Sequence, residues 1–350
     1  MLLKPVPAAR SHLTSPFAML SLVALLSALV LPLLAASSNP NTTLIYQFPN
    51  GTWIENIAVR HNNALLLTLL TTPDLYNLDP TSSKPSPTLL YTFPNATALF
   101  GIAEYAPDVF GIAAGTYSFS AGVTPHSFSI WSVDFSRSAL DSQGKPTVSL
   151  LAPIPQASFI NGMSTLATDP SVLLLGDIAG GQIFAFDTRT RETRLVVPSS
   201  NPLVAATPSS FGTVGVNGLR TRYHNLYVVN TGSGVLGKLA INTDGTPQAG
   251  AQIDVLARAA DGTNWDDFAI GGQGTVFAVT SGGNTVVRIV EGREQEIIAG
   301  RKYSMEIDQP TAVALSRGDI EGEKLFVVTG GGALAPGNEV VGGQVLVVDL

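Results

Sequence analysis

The chain has 350 residues, 45% of them hydrophobic and only 13% charged, with a formal net charge of −7 and no cysteine. That composition supplies a large core and excludes a solvated, disordered chain. It also excludes disulfides, thiolate metal sites and a cysteine nucleophile. The acidic balance, with no Lys/Arg cluster, argues against nucleic acid as a partner, because phosphate binding needs a basic face.

In chain order, Lys4 and Arg10 precede an apolar run from Phe17 to Ala36, and small residues (Ala35, Ala36, Ser37, Ser38) follow it. This is the layout of a cleaved secretory signal over residues 1–38. The competing reading is an uncleaved anchor, since the run nearly reaches the ~20 residues that span a bilayer. Pro32 and the small residues behind it favour cleavage, which leaves a single domain over 39–350 and no membrane contact. Three sequons, at Asn41, Asn50 and Asn95, follow closely and fit N-glycosylation of an exported protein. The expectation is therefore a secreted, extracellular glycoprotein.

Beyond residue 50 the chain repeats. ENIAV (from Glu55), FGIAE (Phe100), NGMST (Asn161), NGLRT (Asn217), DDFAI (Asp266) and QPTAV (Gln309) open units 43 to 61 residues apart. Gly 34 and Pro 23 suit the many tight turns such units need. Within a unit, short β-prone runs recur: after Asn161 come VLLLGD, QIFAFD and TRLVV, and after Asp266 come TVFAVT, NTVVRIV and EQEIIA. Four strands per unit and six units predict an all-β, six-bladed propeller. The sixth unit is one strand short, and TLIYQF (Thr43 to Phe48) precedes the first without a partner. The prediction is that this N-terminal strand closes the last blade, hiding the sheet edges. The protein is expected to be a monomer.

The first strand of each blade lines a propeller's channel, so the opening residues Glu55, Phe100, Asn161, Asn217, Asp266 and Gln309 should face one another. Taken singly, Asn and Asp more often cap turns; the aligned set is what marks a site. Its oxygens suit a hard cation such as Ca²⁺ or Mg²⁺. The neighbouring column (Asn56, Gly101, Gly162, Gly218, Asp267, Pro310) is rich in glycine, which would let backbone approach whatever occupies the axis. Asp267 beside Asp266 forms a carboxylate pair able to share a proton. Trp53 and Trp265 flank two of the openings and suit a small hydrophobic ligand. The stretch Thr116 to Pro125 in blade two is a candidate lid. His126 is a weaker candidate at a channel mouth. The Gly-rich runs near Gly271, Gly282 and Gly330 read as turns, not phosphate loops.

With Glu55, Asn161 (in FINGM), Asn217 (in GVNGL) and Asp266 at those places, the chain resembles the gluconolactonase/senescence-marker-protein superfamily of six-bladed propellers. The resemblance implies a divalent cation held by those four residues; it departs from the family's usual Asp-Gly in blade five, where Asp266-Asp267 stands. The segments GTWIENIAVR, FGIAEYAPDVFGIAAG, LYVVNTGSGVLGKL and NWDDFAI resemble a secreted fungal branch of this superfamily, found in specialised-metabolite pathways, that includes hetero-Diels–Alderases. That likeness implies a cyclase joining an o-quinone methide of a tropolone or polyketide to a terpene alkene, with no cofactor. Glu55, Asp266 and Asp267 are then the acid/base candidates. Trp53, Phe100, Asn161, Asn217, Trp265 and Gln309 would contact substrate. A metal-dependent lactonase and a non-catalytic binding propeller are the alternatives.

Overall fold

The computed structural model describes residues 42–317, 323–334 and 340–350. The expected signal segment, residues 1–38, and the sequon residue Asn41 lie outside these. Among the described residues no helix is long and apolar enough to cross a membrane.

These residues form six four-stranded antiparallel sheets. Blade 1 is Ile54–Val59, Leu65–Leu69, Asp74–Leu78 and Thr88–Thr92; blade 2 is Ala98–Ala106, Val109–Gly115, Ser129–Asp134 and Thr147–Pro153. Blade 3 is Ile160–Leu166, Asp169–Asp177, Gln182–Asp187 and Thr193–Val197; blade 4 is Val216–Arg222, Asn225–Asn230, Val235–Ala240 and Asp254–Arg258. Blade 5 is Asn264–Ile270, Val276–Ser281, Thr285–Ile289 and Glu296–Gly300. Blade 6 combines Pro310–Leu315, Lys324–Thr329 and Gln344–Asp349 with Thr42–Gln47 from the other end of the chain, which pairs antiparallel with Gln344–Asp349. The predicted closure is present.

Apolar clusters fill every junction between neighbouring blades. Phe93, Leu99 and Phe110 pack with Leu66 and Leu75 between blades 1 and 2. Trp265 and Phe268 pack with Val229 and Leu236 between blades 4 and 5, and Ile54 and Leu67 pack with Phe326 and Val345 between blades 6 and 1. The core is thus a closed ring, and hydrophobic burial holds the circle without a disulfide.

Two register irregularities repeat around this ring. In all six inner strands the pairing to the second strand slips near its start, at Ile54/Asn56, Leu99/Ile102, Ile160/Met163, Val216/Leu219, Trp265/Phe268 and Pro310/Ala312. A bulge there re-aims a side chain away from the pleat. The outermost strands also bulge once each, beside Leu44, Leu89, Leu150, Leu195, Val255 and Ile297, all of which are exposed. Bulged edges resist pairing with another chain.

The glycines beside the inner bulges have a different role from the one expected. A Cβ on Gly101 would lie 2.6 Å from Asn161 O, one on Gly162 2.0 Å from Asn217 O, and one on Gly218 2.1 Å from Asp267 Oδ1. Each lets the next blade's inner strand come close, and none is reserved for an axial ligand.

Candidate active site

The inner bulges place Glu55, Phe100, Asn161, Asn217 and Asp266 at equivalent positions in blades 1 to 5. In blade 6 the register gives that place to Thr311, two residues beyond Gln309. Gln309 instead sits just ahead of the strand in the left-handed region (φ 58), held by its backbone N–H donating to Asn284 Oδ1 at 3.1 Å. Sequence alignment could not see this offset, because QPTAV keeps the polar-then-special pattern of the other openings.

Four members of the ring meet in two hydrogen-bonded pairs. Asn161 Nδ2 donates to Glu55 Oε1 at 2.9 Å, and Asn217 Nδ2 donates to Asp266 Oδ1 at 2.9 Å and to Thr231 Oγ1 at 3.1 Å. Trp53 Nε1 donates to Glu55 Oε2 at 2.6 Å. All four ring members line one cavity of about 380 Å³ at the end of the channel where the inner strands begin. Its walls include Trp53, Trp265, Phe159 and Tyr117.

Burial pushes the Glu55 carboxyl up to about 7, against the opposing pull of the Trp53 and Asn161 hydrogen bonds, and the charge of Asp267 adds to the rise. Asp266 is raised well above the usual carboxylate range by burial, then by the charges of Glu55 and Asp267. Asn217 Oδ1 and Trp265 Nε1 are buried without a hydrogen-bond partner.

Two expected site residues lie outside the cavity wall. Phe100 is fully buried behind it, its ring 5.3 Å from Phe128 and 5.3 Å from Phe159. Asp267 points into the channel below, where it accepts hydrogen bonds from Asn56 Nδ2 (3.1 Å), Arg220 Nη2 (3.1 Å) and its neighbour's backbone Phe268 N–H (2.7 Å). These contacts tie the Asp267 carboxylate to Arg220 and Asn56, outside the cavity that holds Asp266. His126 is exposed and hydrogen-bonds Pro155 O, away from the cavity. Asn50 and Asn95 are exposed in turns ahead of blades 1 and 2.

The stretch expected to form a lid holds a short hairpin. Tyr117–Ser118 pairs with Gly122–Val123, and the hairpin brings Tyr117, Gly122 and Val123 to the cavity. A second hairpin, Thr207–Ser209 with Gly212–Val214, contributes Phe211, Thr213 and Val214. Sequence reading missed it, because its residues lack strong alternation and fall between two repeats. Phe159 was missed too. Its backbone N–H is held by Asp177 Oδ1 at 2.8 Å, and Asp177, a buried acid at a turn, is the signal that could have flagged it.

The four-residue set does not fit a divalent cation as arranged. A cation would need an oxygen from each member. Here both asparagines turn N–H to a carboxylate, and the Trp53 indole occupies Glu55 Oε2. The Asn161 amide would have to turn from Glu55 and the indole withdraw, whereas Asn217 Oδ1 has no hydrogen-bond partner to give up.

The class defined by fold and site is a six-bladed propeller with a paired-acid cavity at one end of its channel. No protein-family model matches the chain. A Phoma protein provisionally named a hetero-Diels–Alderase is 27% identical over 315 residues, covering 81% of this chain and 85% of that one. A Sarocladium schorii protein with the same provisional name is 28% identical over 251 residues, covering 65% of this chain and 61% of that one. Among solved structures, a luciferin-regenerating enzyme superposes with a TM-score of 0.63 at 12% identity, over 88% of this chain and 95% of that one, a likeness of fold.

Proposed function

We propose that the protein is a hetero-Diels–Alderase-like cyclase, secreted after removal of its N-terminal segment, that generates an o-quinone methide in its cavity and joins it to a terpene alkene. The observation that carries this reading is the pair of buried carboxyls, Glu55 and Asp266, lining one cavity. Burial raises both carboxyls, Asp266 well above the usual range and Glu55 to about 7, and each accepts a hydrogen bond from its own asparagine. Two buried carboxyls in one site can divide acid and base roles between them. The two relatives' names support the same reaction class.

The chemistry balances as follows. Asp266 donates its proton to the hydroxyl of an ortho-hydroxybenzyl-type precursor, and the C–O bond breaks to release water. Glu55 takes the proton of the neighbouring phenol or tropolone oxygen. The resulting methide, a neutral heterodiene, adds across the alkene with formation of one C–O and one C–C bond. Proton exchange through water restores the pair. Trp53 and Trp265 hold the planar ring by stacking, and the confined geometry supplies most of the rate by pre-orientation.

The test is incubation with 2-hydroxybenzyl alcohol analogues and a terpene alkene, following adduct by chiral chromatography. Faster, enantioselective adduct formation that EDTA leaves unchanged supports the reading. Turnover that EDTA abolishes and Ca²⁺ restores favours the hydrolase-type alternative instead.

A further inference from the structure

Outside the acid-bearing cavity, and continuous with it, lies a vestibule of about 850 Å³. The two share Tyr117, Phe211, Ser281, Gln309 and Leu334 at their boundary. Their chemistry differs. Glu55 and Asp266 line only the inner cavity, and among the described residues Lys302 is the charged side chain that lines the vestibule. Its wall carries Phe211, Tyr303 and Leu334 with large exposed apolar surface; Tyr303 is 79% exposed. At about 380 Å³ the inner cavity lies near the low end of the ~300–1,000 Å³ that ligand pockets span. It accepts a ring system readily, since a cavity of about 150 Å³ takes benzene, and the vestibule adds a second, larger space open to it.

We propose that the two spaces are separate subsites, the inner one holding the partner that exchanges protons and the vestibule holding a neutral, apolar alkene. The division rests on the cycloaddition reading for the identity of the two ligands. Gln309 fixes the boundary: its Oε1 accepts the Leu334 N–H at 3.0 Å, and its backbone oxygen accepts the Gly330 N–H at 2.8 Å. An uncharged alkene suits the outer space because it offers apolar contact and no carboxylate to exchange a proton. The heterodiene formed inside then meets the alkene at the boundary, where Tyr117 and Phe211 face both.

Two of the chain's 3 tryptophans, Trp53 and Trp265, line the inner cavity, while the vestibule has none, so tryptophan fluorescence reports inner occupancy. The experiment titrates 2-hydroxybenzyl alcohol by tryptophan quenching and limonene by saturation-transfer NMR, alone and together. Ser210→Phe, which narrows the vestibule, and Tyr303→Ala, which strips its wall, alter exposed residues lining only that space. The expected result is simultaneous binding in the wild type. In both variants the limonene Kd rises about tenfold while the alcohol Kd stays within about twofold. Mutual displacement of the two probes, or parallel weakening of both in the variants, would overturn the division. Simultaneous binding with no adduct formed by the wild type would sustain the two subsites and refute the cyclase reading.

Discussion

The indole N–H of Trp53 lies 2.6 Å from Glu55 Oε2, two residues along the same chain and across the entrance to the inner strand of blade 1. The indole is locked in place from behind, since a Cβ on Gly330 of blade 6 would lie 2.7 Å from its ring. The bond stabilises the Glu55 anion and so limits how far burial lifts this acid. Trp53→Phe removes the donor and keeps most of the wall. The base form of Glu55 then becomes scarcer, and the acid limb of the rate profile moves up by about one pH unit. A kcat/KM profile from pH 5 to 9 measures it.

Glu55 also links stability to pH. Its folded-state value of about 7 exceeds the unfolded value of 4.5. Between those values the unfolded chain releases the proton and the folded one keeps it, so stability falls as pH rises through that window and levels off above 7. Glu55→Gln removes this contribution. The wild type should lose about 3 kcal/mol relative to the variant between pH 4 and pH 8, read by urea unfolding at matched pH. Parallel curves for the two proteins would contradict the assignment.

Close approach of inner strands makes a prediction independent of function. In Gly162→Ala the new methyl would sit 2.0 Å from Asn217 O and 2.9 Å from its carbonyl carbon, both backbone atoms that cannot swing aside. Destabilisation of at least about 1–3 kcal/mol is expected. Gly51→Ala, with nothing within 4 Å of its Cβ but a φ of 85, carries only the backbone strain and should cost less. Thermal melts of the pair separate crowding from strain.

Deleting residues 42–47 tests the closure. Blade 6 would keep three strands and expose the edge of Gln344–Asp349, whose Val345 and Val348 are buried in the intact ring. A lower Tm and concentration-dependent aggregation are expected, by calorimetry and light scattering. An unchanged Tm would show that the N-terminal strand contributes nothing to the ring.

Much of this architecture was legible because it repeats. Strand runs such as QIFAFD and TVFAVT fall on observed strands, and the unpaired TLIYQF pointed to its place beside the last strand. The inner ring was legible through blades 1, 3, 4 and 5 for the same reason. Blade 6 was read two residues early, because a left-handed Gln309 ahead of the strand imitates the pattern. Asp267 looked like a catalytic partner of Asp266, yet adjacent residues at the bulge diverge, one to the cavity and one to Arg220. That divergence depends on cross-blade contacts, which sequence spacing does not encode. The walls supplied by the Thr207–Val214 hairpin lie outside the repeat and were invisible for that reason.

The most direct test of the central claim is adduct formation by the wild type, Glu55→Gln and Asp266→Asn, with 2-hydroxybenzyl alcohol binding followed in parallel. The account predicts that the wild type yields one enantiomer in excess. Each variant should bind the alcohol within about threefold of the wild type, while kcat falls at least about 100-fold. Racemic product at the uncatalysed rate from the wild type, or unchanged turnover in both variants, would contradict it.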